Sequence, residues 1–525
     1  MNDKIIVTNL SSLKRKYGNE LKNIATAIEE LIKTDRKRGL QTRLVAIDDA
    51  QTMKQLKAPR VSDASDPEQN KDAVDAVYKA LAPDYILLLG SLDVIPHQSL
   101  KNPVYDGLND ADRFVPSDLP YACEAPYSRK PEDFTGPARV VGRLPDLTGG
   151  EDAAYLIALL ETAAGWKSSA ADKYVRHLGI SAWEWADSTR MSLKNLFGSS
   201  AKIQTSPPKG PKWSSTLLRK PSHFINCHGA PADFHFYGQK GDSYPVAHDA
   251  SYLEGRVAEG TVVAAECCYG AALYDARKLA DGQAGICSTY LAGKAYGFFG
   301  STTIAYGPAE GNGSADLISQ YFLKHVLAGD SLGRAALEAQ QEFAVSSPEL
   351  DPVDLKTLVQ FVLFGDPSIH PVTIPTPHKA VDTTKGLKTL SLVTAGPATG
   401  RAGRRLMLAS KGLWIAGNQP VAGNRLKTTP DSVEPTLREL AKKLRIENYN
   451  TLSFGVAREP KLLARAAKAP ARRVFHVILG SKKGAQVKAK KAGKQPVRAI
   501  SAVVAREVDG TIVSFRELYG RTTVR

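Results

Sequence analysis

Two short apolar runs end on residues whose chemistry fits together. HFINCHGA delivers His228 followed by Gly229, and TVVAAECCYG delivers Cys267 with Gly270 three positions later. In an open parallel sheet, reactive groups collect beyond the carboxyl ends of the strands. Taken alone, a strand-end histidine reads as a hydrogen-bonded structural residue, and a buried cysteine as a small hydrophobe. Together they are what acyl transfer by cysteine requires. A thiolate attacks, and an imidazole assists the thiol or protonates the leaving amine. Glycine close behind each residue lets a scissile carbonyl approach the backbone, where N–H groups such as those of Gly229 and Cys267 can bind the oxyanion.

A pair placed this way needs a sheet to hold it. Nine Val-, Ile- and Leu-rich runs recur through the first 375 residues: KIIVTNL, RLVAI, YILLLG, RVVGRL, LGISAW, HFINCHG, TVVAAEC, YGFFGST and LVQFVLFGD. Runs apolar on both faces fit strands buried in a mostly parallel sheet. Leu21, Ile24, Ile28, Leu31 and Ile32 keep the rhythm of an amphipathic helix closed by Gly39, and further helices are expected from about Ser314 to Leu327 and from Ser331 to about Ala344. The alternation predicts a doubly wound α/β body over residues 1–375, helices on both faces, with room for two subdomains split near 150–175. HPVTIPTPHKA, residues 370–380, reads as a linker. Beyond it, a separate α+β or β-rich module over 376–525 is expected: alternating segments around LSLVTA and LMLASKGLWIAG, a glycine turn in TAGPATGRAGRR, a helix over PTLRELAKKLRIE, and a hairpin turning at Asp509-Gly510.

Composition narrows the class. The chain has 525 residues, 43% hydrophobic and 23% charged, which suits a globular protein of several domains and excludes disorder as the main state. Five cysteines, two of them adjacent at 267 and 268, make neither a disulfide framework nor a zinc motif. No run approaches the ~20 apolar residues that span a bilayer, and the N-terminus lacks a signal-peptide core. A reducing, cytoplasmic setting is expected. HExxH and G-x-x-x-x-G-K-[ST] motifs are absent. The net charge of +15 is unevenly spread: residues 376–525 hold 30 Lys+Arg against 9 Asp+Glu, a balance of +21, leaving 39 against 45, or −6, for residues 1–375. Such a basic block, with Lys482, Lys483, Lys488, Lys490, Lys491 and Lys494 in one expected loop, suits a polyanionic partner such as nucleic acid or an acidic protein; a solvated surface is the alternative. The loop has no interleaved aromatics for base stacking, so nucleic-acid binding there would be sequence-tolerant.

A hydrophobic block ending in His-Gly followed by one ending in Cys resembles the caspase-like clan of cysteine peptidases, clan CD. Further motifs narrow the resemblance to the gingipain-type family, peptidase family C25: YILLLGSLDVIPH, the Ser-Asp of VPSDLPYAC, the Val-Gly-Arg-Leu of RVVGRLP and the Gly365-Asp366-Pro367 of FVLFGDPSI, all in the family's order. The resemblance covers residues 1–375. It implies a cysteine endopeptidase with His228 and Cys267 as the catalytic pair, Cys267 being preferred to Cys268 because it alone has Cys-x-x-Gly spacing to Gly270. It also implies that Glu184 orients the imidazole, that Asp187 binds a basic P1 side chain so that cleavage follows Arg or Lys, and that Tyr306 lies over the pocket. No cofactor is required; the family's structural calcium would fall to acids such as Asp93 and Asp118. His235 and His248 fall in a polar stretch that reads as an active-site loop. The chain begins almost at the first expected strand, so no propeptide is expected to restrain activity, and a narrow substrate range, a closed loop or a partner would have to do so. The alternative function is a catalytically silent peptidase-like scaffold whose basic module binds nucleic acid or an acidic partner.

Overall fold

The computed structural model describes residues 2–199, 201–373, 400–457, 471–482 and 499–520. All nine apolar runs form strands of one ten-stranded sheet: β1 (Lys4–Thr8), β2 (Thr42–Ala46), β3 (Tyr85–Leu89), β6 (Val141–Leu144), β7 (His177–Ala182), β9 (Ser222–Asn226), β12 (Val262–Ala265), β13 (Gly297–Ser301) and β15 (Phe361–Phe364), joined at one edge by β8 (Ile203–Ser206). The order is β2-β1-β3-β6-β15-β13-β12-β9-β7-β8. Neighbours run parallel except at β13 and β15, which are antiparallel, so the sheet consists of two parallel halves of opposite direction. The chain passes from one half to the other between β6 and β7 and returns between β13 and β15. Short antiparallel ribbons, β4 (Gln98–Lys101) with β5 (Phe114–Ser117) and β10 (His235–Tyr237) with β11 (Val246–Asp249), stand outside the sheet.

The sheet's side chains divide between two hydrophobic clusters. In β9 and β12, Ile225, Val263 and Ala265 enter the first, whereas Phe224, Val262 and Ala264 enter the second. That is the alternation a strand imposes. Helix α1 (Leu21–Lys37) buries Ile24, Ile28 and Leu31 in the first cluster. Four helices that matter below are α2 (Ala186–Phe197), α3 (Ile286–Ala292), α4 (Ala315–Leu327) and α5 (Leu332–Ser346), of which α4 and α5 pack in the second cluster.

The motifs in the body interlock. Asp118 of the Ser-Asp segment pairs with Arg143 of the Val-Gly-Arg-Leu strand, at 2.8 Å and 2.5 Å, and Arg143 also donates to the carbonyls of Gly90 and Ile95, each at 2.8 Å. Asp366 of the Gly-Asp-Pro segment and Asp35 flank the buried Lys4 ammonium at 2.5 Å and 2.6 Å.

Past residue 400, the expected alternating segment LMLASKGLWIAG is instead helix α6 (Gly400–Asn418). Its buried positions, Leu408, Gly412 and Ile415, follow helical spacing, while Leu406, Met407 and Leu413 are apolar but exposed and mimic alternation. The glycine-rich turn expected in TAGPATGRAGRR is likewise helical over its described residues, 400–405; LSLVTA lies outside the described residues. The helix in PTLRELAKK is α7 (Glu434–Lys443). An antiparallel sheet follows, β16 (Ala422–Arg425), β17 (Ile446–Val456), β18 (Arg473–Lys482), β19 (Ile500–Val508) and β20 (Thr511–Gly520), the last two turning at Asp509 and Gly510, both at positive φ. This sheet borrows β14 (Tyr306–Gly307) from the body, paired with β20. One hydrophobic cluster runs through both and includes Phe299 and Tyr306 of the body and Phe475, Val477 and Ile500 of the second sheet. No helix among the described residues is long and apolar enough to cross a membrane.

Candidate active site

Strands β9 and β12 pair in parallel with Ile225 opposite Ala265. The same offset brings Cys227 beside Cys267 and His228 beside Cys268. The approach is close. A Cβ on Gly229 would sit 1.8 Å from the Cys268 carbonyl oxygen, so only glycine fits. Beyond this point His228 and Tyr237 exchange backbone hydrogen bonds of 2.8 Å each, and the polar stretch expected as a loop continues as the β10–β11 ribbon.

The cysteines sit on a tight turn. The Cys267 carbonyl accepts hydrogen bonds from the Gly270 N–H at 3.1 Å and from Ser301 Oγ at 3.0 Å. Tyr269 adopts φ +55°, a region that residues other than glycine rarely enter, and its hydroxyl donates to Asp112 at 2.7 Å. Cys267 is buried in the first cluster with Ile225, Cys227 and Tyr290, its Sγ 3.7 Å from the Ile225 carbonyl. Burial raises this thiol well above its ordinary pKa and keeps it protonated. Cys268 belongs to the second cluster, where its Sγ accepts from the Ala305 N–H at 3.1 Å and lies 3.5 Å from the Ala305 carbonyl.

His228 is fully buried. Its Nε2 lies 2.8 Å from Gln239 Oε1, while the Gln239 amide nitrogen donates to Tyr244 Oη at 2.9 Å and to the Gly241 carbonyl at 3.3 Å. Those two contacts orient the amide, so its oxygen faces the imidazole and Nε2 carries the proton. The ring is flanked by Trp185 and Tyr244, with centroids at 4.4 Å and 5.2 Å. The backbones of the expected pair are brought together, while the Cys267 side chain packs in the first cluster.

The other expected residues are placed as follows. Glu184, in the turn after β7, accepts from the Gly241 N–H at 2.6 Å, and its own N–H reaches the Gln239 carbonyl at 3.3 Å. It grips the turn that carries Gln239. Asp187 opens α2 with its side chain 74% exposed and paired to Arg190. Tyr306 is fully buried in β14 and donates to Asp110 at 2.9 Å. His235 contacts Asp233 at 2.9 Å on the ribbon, and His248 is buried against Tyr290 Oη at 2.9 Å. Asp93 binds Lys16 at 2.8 Å and Asp118 is taken by Arg143; neither belongs to the one group of three or more metal-capable side chains found among the described residues. Gln239, Tyr244 and Trp185 were not anticipated. Gln239 and Tyr244 lie in the polar stretch after His228, but nothing in their spacing marks them.

Lys482 donates to the Leu444 carbonyl at 2.7 Å and pairs with Glu517 at 2.5 Å; Lys483, Lys488, Lys490, Lys491 and Lys494 lie outside the described residues. Among the described residues, four cations of the basic segment pair with acids of the body: Arg405 with Asp84, Arg473 and Arg506 with Glu349, and Arg516 with Asp351 and Asp354.

No family model and no curated protein matches the chain. Among solved structures it is similar to one described as "Structure of Protease", with 12% identity and a TM-score of 0.47 over 98% of this chain and 96% of that one. It is also similar to a chain of the Saccharomyces cerevisiae separase–securin complex, with 14% identity and a TM-score of 0.27 over 44% of this chain and 14% of that one.

Proposed function

We infer that the protein is a cytoplasmic cysteine endopeptidase of the caspase-like type. The observation that supports this most is the parallel pairing of β9 with β12, which sets a His-Gly and a Cys-x-x-Gly segment side by side at the carboxyl ends of neighbouring strands. Cys267 is the assigned nucleophile on its spacing to Gly270, and His228 is the base, with Gln239 and, through it, Glu184 positioning the ring. Attack requires the Cys267 thiol to leave its apolar surroundings and ionise. Substrate binding must therefore rearrange the 267–270 turn, a restraint that would keep the enzyme silent until it is engaged. Cleavage after Arg or Lys follows from the gingipain-type resemblance. Asp187 could serve a basic P1 group only by exchanging its Arg190 partner for it.

The second reading is a peptidase-like scaffold without turnover, its basic C-terminal segment binding a polyanion such as nucleic acid or an acidic protein. Burial of the protonated Cys267 thiol favours it. The deciding experiment is cleavage-site profiling on a peptide library together with an acyloxymethyl-ketone label located by mass spectrometry. Cleavage after Arg or Lys, lost in Cys267→Ala and kept in Cys268→Ala, supports the peptidase with Cys267 as nucleophile. Label on Cys268 moves the nucleophile by one residue, to the thiol held by Ala305 in the second cluster. Equal cleavage after Ala and Arg removes the assigned specificity, and no cleavage or labelling in any condition leaves the scaffold.

A further inference from the structure

The helical hairpin of α4 and α5 carries a cluster remote in sequence from the cysteine turn. His325 lies in the last turn of α4, Asp330 in the connection just before the Ser331 N-cap, and Glu338 and Glu342 one turn apart on α5. His325 Nδ1 is 3.4 Å from Asp330 Oδ2 and 3.4 Å from Glu338 Oε2. Both separations exceed the ~2.7–3.2 Å of a good N–H···O hydrogen bond. They agree instead with the ~3.3–3.4 Å that separates two donor atoms bound tetrahedrally to one Zn²⁺ at ~2.0–2.1 Å. One donor atom from each of the three residues falls within 4.8 Å of the others.

A second feature points the same way. His325 Nε2 lies 3.0 Å from Glu342 Oε2, and the other Glu342 oxygen accepts from Lys324 at 2.7 Å. A carboxylate on the far nitrogen of an imidazole is the arrangement that fixes the tautomer and aim of a metal-binding histidine. Here it turns Nδ1 toward Asp330 and Glu338. The three side chains are 16%, 23% and 24% exposed, which admits an ion and a water as fourth ligand.

We propose that His325, Asp330 and Glu338 form a zinc-type divalent metal site, with Glu342 positioning His325. One imidazole with two carboxylates suits Zn²⁺ better than Ca²⁺ or Mg²⁺, which take oxygen ligands. The ion ties the end of α4 to the middle of α5. Helix α4 in turn is fastened to α2 by the 2.6 Å bond from Ser188 to Asp316, so the site braces helices that pack in the second cluster across both halves of the sheet. The competing explanation is a protonated His325 held by Asp330, Glu338 and Glu342, with Lys324 and Lys411 as further counter-charges. It requires no metal.

The test uses the full chain, stripped with chelator and dialysed against Zn²⁺, Mg²⁺ or Ca²⁺ separately. Metal content is measured by mass spectrometry and thermal melting is recorded alongside. The site binds one Zn²⁺ per chain, raises the melting temperature with Zn²⁺ and not with the other two, and loses that ion in His325→Gln and in Asp330→Asn. Asp330 lies in a turn, so its replacement keeps the experiment informative if His325→Gln fails to fold. Glu342→Gln keeps the three ligands and weakens Zn²⁺ affinity about 10–100-fold. Absence of bound Zn²⁺, or Zn²⁺ retained by both ligand variants, overturns the proposal and leaves an ion-pair cluster.

Discussion

Gly229 and Cys268 make a backbone contact that excludes a side chain: the nearest atom to a Cβ on Gly229 is the Cys268 carbonyl oxygen, at 1.8 Å. The residue after the histidine and the residue after Cys267 therefore hold each other's strand ends in place. Gly229→Ala must push the two ends apart, at a cost of about 1–3 kcal/mol or more, as overpacking a rigid core does. Thermal melts should show a clear loss for Gly229→Ala. Gly165→Ala, with nothing within 4 Å of its Cβ, should melt like the parent chain or slightly higher.

Gln239 is the direct partner of the imidazole, and Glu184 acts on it at one remove. Gln239→Leu removes the acceptor at Nε2, so kcat should fall by about 10-fold or more with little change in KM, in line with loss of general-base positioning. Gln239→Glu puts a carboxylate on the ring and should move the acidic limb of the pH–rate profile to higher pH. Glu184→Gln keeps an oxygen for the Gly241 N–H and should stay within a few-fold of the parent, whereas Glu184→Ala should behave as a weaker Gln239→Leu. Equal pH profiles for Gln239→Glu and the parent would remove Gln239 from the mechanism.

Three histidines far from solvent make the fold acid-sensitive. Burial pushes His97 down to about 4, and His223 and His248 down to about 3. All three are neutral in the folded chain, while in the unfolded chain each takes up a proton near pH 6.5. Below that pH the unfolded state binds more protons, so stability falls on acidification, from about 6.5 to 4 for His97 and on to about 3 for the other two. Each contributes ~1.4 kcal/mol per pH unit inside its window. Urea melts between pH 7 and 4.5 should show this slope, and His97→Asn should reduce it by about one proton. An unchanged slope in that variant would mean His97 is protonated in the folded state.

Most of the sheet was legible because strands buried on both faces must be apolar along their whole length, as in β3 and β12. The strand that escaped, β8, is an edge strand with the sequence IQTS, where one side is free to be polar. Helix α6 escaped for the opposite reason, since its exposed Leu406, Met407 and Leu413 obscure the helical rhythm of the buried positions. The strand ends that carry His228 and Cys267 could be read from where the apolar runs stop. Which face each side chain takes could not, because a shift of one residue reverses it. Asp118, Arg143 and Asp366, three residues of the motifs behind the resemblance, form buried ion-pair joints of the scaffold and say little about the substrate.

Tyr306 is stitched to Gly520 in the second sheet, and its neighbour Ala305 grips the Cys268 sulfur. One peptide bond thus separates the seam between the sheets from the cysteine turn, so the two are in mechanical series. Tension on β20, from a tether, a nick or a bound surface, reaches Cys268 without crossing the rest of the body. An excised body ending at residue 375 would lose β20, the strand that β14 leans on one peptide bond from the Cys268 contact.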